Sequence, residues 1–143
     1  MASRQEILRE YSRQFLLSLG QPDLHLYDPA CSNGVFLQAM KVALPRCRTI
    51  GQDLSPNMVA YAARRLDEVH CGDCRIPAVG QASVDVVFCR CVMGVVGEGG
   101  WAMGWIGGGG GVTDWRGGVQ HLDGVHCTET MFAVTSSSVG VCT

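Results

Sequence analysis

The sequence predicts an α/β fold: a Rossmann-like, doubly wound, mostly parallel sheet, incomplete after its fourth strand. Three observations carry this expectation. Short apolar strands alternate with amphipathic helical stretches through the first two thirds of the chain, the pattern of a parallel sheet covered by helices. The first four strands run into polar residues at their C-terminal ends: Asp28, Asp53, Asp73 and Cys89. Beyond about Met93 the composition changes abruptly. Fourteen of the nineteen glycines lie in residues 94–143, with only five charged residues, so nothing periodic continues the alternation.

The 143 residues suit one domain with a real core, with 47% hydrophobic and 17% charged residues. The net charge of −2 gives no basic excess to recommend a nucleic-acid partner. No run of about 18 apolar residues occurs, so no membrane span is expected. The opening Met-Ala-Ser-Arg-Gln-Glu lacks the apolar stretch of a secretory signal. The eight cysteines then read as reduced thiols of a cytoplasmic protein.

Arg4 to Leu19 reads as an amphipathic helix, with Leu8, Tyr11, Phe15 and Leu19 at helical spacing and Ile7 and Leu16 widening the stripe. Its ordinary role is packing on the sheet; a lid over a ligand pocket, bordered by Tyr11 and Phe15, is the sharper one. Gly20-Gln21-Pro22 stops it. Leu24–Tyr27 is the first strand, and the small residues after Asp28 form a tight turn into a helix from Gly34 to about Leu44. Such a turn lets backbone N–H groups and a helix N-terminus approach a ligand. Arg48–Leu54 is the second strand. Ser55-Pro56 starts the next helix, serine as N-cap and proline in the first turn. Val69–Cys71 is a third strand, and Val84–Met93 is an apolar run suited to a strand covered on both faces.

Right-handed crossovers place all the strand C-termini on one edge, where ligands of open parallel sheets bind. Asp28 there can accept a hydrogen bond from a ligand hydroxyl or meet a cation. Asp53, nineteen residues after Gly34, can accept both hydroxyls of a ribose. Asp73 can accept from the exocyclic amino group of an adenine. Each acid alone is as easily a turn or cap residue; the ordered set points to a nucleoside.

These residues carry a family resemblance. Asp28-Pro-Ala-Cys-Ser-Asn-Gly34, Gly51-Gln-Asp-Leu-Ser-Pro-Asn-Met58, Cys71-Gly-Asp-Cys74 and Val84–Met93 resemble, in order, the motifs of the cofactor-binding half of class I S-adenosylmethionine-dependent methyltransferases. The resemblance covers about half the chain. It implies S-adenosyl-L-methionine as cofactor, with Asp28, Ala30, Ser32 and Gly34 forming the first turn. It implies Asp53, Leu54 and Met58 around the ribose, Asp73 and Cys74 at the adenine, and Cys89 beside the methionine part. Where the first motif has three alternate glycines, this chain has Ala30, Ser32 and Gly34; the small side chains still permit close approach with less φ freedom. The family's DNA-modifying members carry a Pro-containing motif after the fourth strand; Cys89–Met93 has no proline. A small-molecule methyl acceptor follows as the expected partner, by a mechanism of alignment that requires no general base, and no catalytic residue can be named.

The cysteines and histidines suggest other chemistry less well. Cys71-x2-Cys74 has no second pair at zinc spacing, since Cys89 and Cys91 are one residue apart, so no metal is expected. A redox Cys-x2-Cys opens a helix, whereas this pair closes a strand. Residues 1–93 thus read as a cofactor-binding core with its N-terminal helix, and 94–143 as an atypical Gly-rich tail. Within that tail, 95–118 reads as loop, and Met131–Thr135 and Val139–Cys142 as short strands. The abrupt change at Gly94 suggests a truncated or altered C-terminus. The alternative function is therefore a non-catalytic methyltransferase-like domain that binds the cofactor weakly or not at all.

Overall fold

The computed structural model describes residues 3–74, 76–80, 83–90, 112–117, 121–122, 125–126 and 130–135. The chain opens with α1 (Arg4–Ser18). Its start is fixed by a reciprocal pair: the Glu6 N–H donates to the Ser3 hydroxyl (3.2 Å), and the Ser3 N–H donates to the Glu6 carboxylate (2.7 Å). The apolar stripe packs as its spacing predicts. Phe15 and Leu16 are buried, while Tyr11 and Leu19 are partly buried against the same cluster. Gly20, in the left-handed region at φ +69°, closes the helix end.

Four strands follow with the expected alternation: β1 (His25–Asp28), α2 (Val35–Ala43), β2 (Arg48–Asp53), α3 (Pro56–Ala62), β3 (Glu68–Cys71) and β4 (Val86–Arg90). The parallel part of the sheet runs β3-β2-β1-β4. The strand order therefore turns back at β1, and the crevice outside the carboxyl ends of β1 and β4 is the topological switch point. In α3, Ser55 caps the helix by accepting the Met58 N–H (3.4 Å), and Pro56 occupies the first turn. The helix ends at Ala62, and Leu66 beyond it packs into the core.

The core lies between α1, α2 and the sheet. Leu24, Leu26, Leu37, Met40, Val86 and Phe88 carry almost no exposed surface. Phe36 of α2 meets Phe88 of β4 edge to face at 5.2 Å, joining helix layer to sheet.

Sequence reasoning stops the sheet at β4; the structure continues it. Strand β5 (Val112–Gly117) falls inside the stretch expected to be loop. A two-stranded ribbon follows, β6 (His121–Leu122) with β7 (Val125–His126), and then β8 (Thr130–Thr135). β8 pairs antiparallel with β4 from Val86↔Val134 to Arg90↔Thr130, and β5 pairs antiparallel with β8. The parallel part of the sheet ends at β4 as expected, and β8 and β5 extend it antiparallel along the outer edge of β4. β8 coincides with the strand expected at Met131–Thr135, whereas Val139–Cys142 and Cys91–Met93 lie outside the described residues. Among the described residues no helix is long and apolar enough to cross a membrane.

Candidate functional site

The parallel strands bring Asp28, Asp53 and Asp73 to one edge, and a hydrogen-bond lattice joins the three loops that carry them. The turn after β1 is tied to β2 twice. The Cys31 N–H donates to the Gln52 carbonyl (2.8 Å), and the Ser32 N–H donates to Asp53 Oδ2 (2.9 Å). The loop after β3 is tied to β2 by the Gly72 N–H, which donates to the Asp53 carbonyl (3.0 Å). The loops that carry the three acids thus belong to one framework.

Each candidate residue has a definite place. Asp28 has no exposed surface, and its Oδ1 accepts the Ala30 N–H (3.0 Å). β1 ends one residue further than the expected Leu24–Tyr27, and the carboxylate lies inward and holds the turn. Ala30 is half-buried, and Ser32 is exposed with φ +54°. A serine there carries the strain that a glycine would not. Its hydroxyl donates to Met58 Sδ at 3.6 Å, across to the first turn of α3. Gly34, at φ +85°, is the N-cap of α2 and offers no side-chain cap; its own N–H donates to the Cys31 carbonyl (3.0 Å).

Asp53 is partly exposed. Its Oδ1 accepts the Ser55 N–H (2.9 Å) while Oδ2 holds Ser32, so the carboxylate fixes two turns at once. A carboxylate offers about four lone-pair directions, which leaves room for ligand hydroxyls beside these two donors. Leu54 is 71% exposed, an apolar side chain at the strand end. Asp73 and Cys74 are half-buried in the loop after β3. Cys89 lies in β4 opposite Met131 of β8. Cys31 and Cys47 are buried, and burial pushes the Cys47 thiol up to about 11. Among the described residues, no three His, Cys, Asp or Glu side chains are grouped to hold a metal ion.

A cavity of about 240 Å³ opens beside the β1 turn, lined by Gln5, Leu8 and Arg9 of α1 and by Cys31, Ser32 and Phe36 among others. The expected lining from Tyr11 and Phe15 is not what borders it: these two turn into the core, one helical turn further on. The face that reaches the site is one turn nearer the N-terminus and carries a cation. The other residue that sequence reasoning missed is Gln52. It is 1% exposed within β2, and its side chain bonds to the loop that carries Asp73.

Residues 27–103 match the family described as "Methyltransferase domain". Isonocardicin synthase from Nocardia uniformis subsp. tsuyamanensis is 52% identical over 96 residues, covering 66% of this chain and 32% of that protein. The chain therefore spans about a third of the length of the curated relative it matches. Among solved structures, the sugar N-methyltransferase KedS8 from Streptoalloteichus sp. is 27% identical, with a TM-score of 0.45, over 55% of this chain and 32% of its own. CalS10, an amino pentose methyltransferase from Micromonospora echinaspora, is 25% identical, with a TM-score of 0.45, over 56% of this chain and 34% of its own.

Proposed function

The chain belongs to the methyltransferase-domain family, and on that premise we propose that it binds S-adenosyl-L-methionine along the C-terminal edge of β1, β2 and β3 and methylates a small-molecule acceptor. The observation that supports this best is the Asp53 carboxylate. It is partly exposed, fixed by two backbone N–H groups, and has acceptor directions left for the two hydroxyls of a ribose. Exposed Leu54 beside it offers an apolar face for a purine, and Asp73 offers a carboxylate to the adenine amino group. Ala30, Ser32 and Gly34 keep side-chain bulk away from the turn, and Met58 and Cys74 flank the nucleoside. Cys89 at the end of β4 lies toward the methionine part. Arg9, across the cavity, supplies a positive charge for a carboxylate.

When bound, the cofactor supplies a methyl group already activated on a sulfonium. The chain's own task is then to orient and to exclude water. The β1 turn and α3 fix the nucleoside end, and α1 walls the cavity at the other end. No side chain in the described site is needed as a base. A small acceptor suits the net charge of −2, which gives no basic surface for a nucleic acid, and a curated relative bears the name isonocardicin synthase. Residues 1–93 form the cofactor-binding unit in this reading; residues 94–143 are an atypical continuation.

Calorimetric titration with S-adenosylhomocysteine tests the cofactor assignment. Micromolar binding that Asp53→Ala abolishes supports it; no heat from folded protein rejects it and leaves a non-catalytic domain. Turnover of S-adenosylmethionine with a panel of small phenols and amines tests the transferred group. Accumulation of S-adenosylhomocysteine supports methyl transfer. Accumulation of 5′-methylthioadenosine overturns it, because a different carbon of the sulfonium would then have moved.

A further inference from the structure

The Gln52 side chain is a buried polar group in the middle of a sheet, and every one of its hydrogen-bonding positions is used. Its Nε2 donates to the Asp73 carbonyl (2.9 Å) and to the Ile76 carbonyl (3.1 Å). Its Oε1 accepts the Ala78 N–H (2.9 Å) and the Tyr27 hydroxyl. Two carbonyls on one side and two donors on the other fix the amide orientation unambiguously. Tyr27 is itself fully buried in β1. One side chain therefore ties the 73–78 loop at three points and anchors it to the central strand. A fourth tie, from the Gly72 N–H to the Asp53 carbonyl, starts the loop. A Cβ on Gly72 would meet Gln52 Nε2 at 3.3 Å, so the amide lies close beneath the residue that precedes Asp73.

Within the loop the Ile76 N–H donates to the Asp73 carbonyl (2.9 Å). Ile76 is 74% exposed and Ala78 is exposed, while Val79 is the only one of residues 76–80 that is buried. Ordering a short exposed loop opposes its backbone entropy, and a satisfied buried amide is the kind of partner that can select one conformation.

We propose that Gln52 is a positioning residue for base recognition: by clamping residues 73, 76 and 78 to β2 and β1, it holds Asp73 where it reads the amino group of a purine, without touching the ligand itself. This rests on the nucleoside reading above, and it assigns to one buried amide the site's preference for adenine over a base that lacks the amino group.

The test compares binding of S-adenosylhomocysteine with binding of S-inosylhomocysteine, in which the 6-amino group is replaced by a carbonyl. The wild-type protein is expected to prefer the adenine compound by at least about tenfold, the scale of one well-placed hydrogen bond to a charged group. Gln52→Leu is expected to lower that ratio to about twofold or less while Asp53→Asn still weakens binding in the Gln52→Leu background, because the ribose contacts do not pass through the clamp. Gln52→Leu also removes the amide oxygen that accepts from the Tyr27 hydroxyl. The double variant Tyr27→Phe/Gln52→Leu removes that donor as well and is expected to recover thermal stability without recovering base preference. A merely structural role predicts the opposite: preference returns with stability. Retention of the wild-type ratio in either variant overturns the proposal alone. A wild-type protein that binds both compounds equally overturns it as well, and one that binds neither overturns the nucleoside reading with it.

Discussion

Two glycines in left-handed conformations allow backbone strain to be separated from packing at the site. Gly34 has φ +85° at the start of α2, and a Cβ there would lie 3.1 Å from Ala62 Cα, 3.2 Å from Ala62 Cβ and 3.3 Å from Leu66 Cγ. The nearest of these is helix backbone, so relief requires α3 to move. Gly20 has φ +69° at the end of α1, and a Cβ there would meet nothing within 4 Å. Gly20→Ala therefore carries conformational strain alone, about 1–2 kcal/mol. Gly34→Ala carries the same strain plus the crowding of an overpacked core, about 1–3 kcal/mol more. Its expected loss is about 2–5 kcal/mol in all. Urea unfolding of both variants with a shared m-value measures the difference directly. Only Gly34→Ala should also weaken S-adenosylhomocysteine binding, since α3 carries Met58 and its cap Ser55 flanks Asp53. Equal losses at the two positions, or unchanged binding in Gly34→Ala, would refute the claim that close contact between the β1 turn and α3 shapes the site.

Ser32→Gly is expected to stabilise the fold by about 0.5–1 kcal/mol, because φ +54° strains a serine and not a glycine; a loss of stability by chemical denaturation would show that the Ser32–Met58 contact outweighs the strain. Acid should loosen the other end of the sheet. Burial raises the Asp67 carboxyl, but bonds from Lys41 and from the Thr49 N–H and hydroxyl outweigh it and hold it below its ordinary 3.8. His70 first, and then Arg48, hold Glu68 below its ordinary 4.5. Both folded values are depressed, so their stabilisation is fully present above about pH 5 and is lost as pH falls through and below these values. Lys41→Met should flatten the acid limb of a stability-versus-pH curve, and an unchanged limb would remove Asp67 from the account.

The reading of the sequence reached furthest where local chemistry and topology agree. Ser55-Pro56 caps α3, the 3.6-residue stripe buries Phe15 and Leu16, and four strands ending on polar residues give a parallel sheet with a polar rim. It failed where the outcome depends on contacts distant in sequence. Gln52, between Gly51 and Asp53, looks like any polar residue near a strand end. Its role depends on a loop more than twenty residues away meeting Tyr27, twenty-five residues before it. Nothing local to Asp28 shows that its carboxylate turns inward to Ala30. β5 lies among glycines with no period-two pattern, and its partner β8 alone makes it a strand. The cavity-facing side of α1 was misplaced by one turn, because periodicity marks the apolar stripe and does not say which end reaches the β1 turn.

The central claim is that β1, β2 and β3 present one continuous rim to one nucleoside. A crystal structure of the chain grown with S-adenosylhomocysteine examines it most directly. The account predicts ribose hydroxyls donating to Asp53, the purine against Leu54 with its amino group at Asp73, and the amino-acid end in the cavity beside Arg9. A nucleoside lodged away from Asp53 and Asp73 would contradict it.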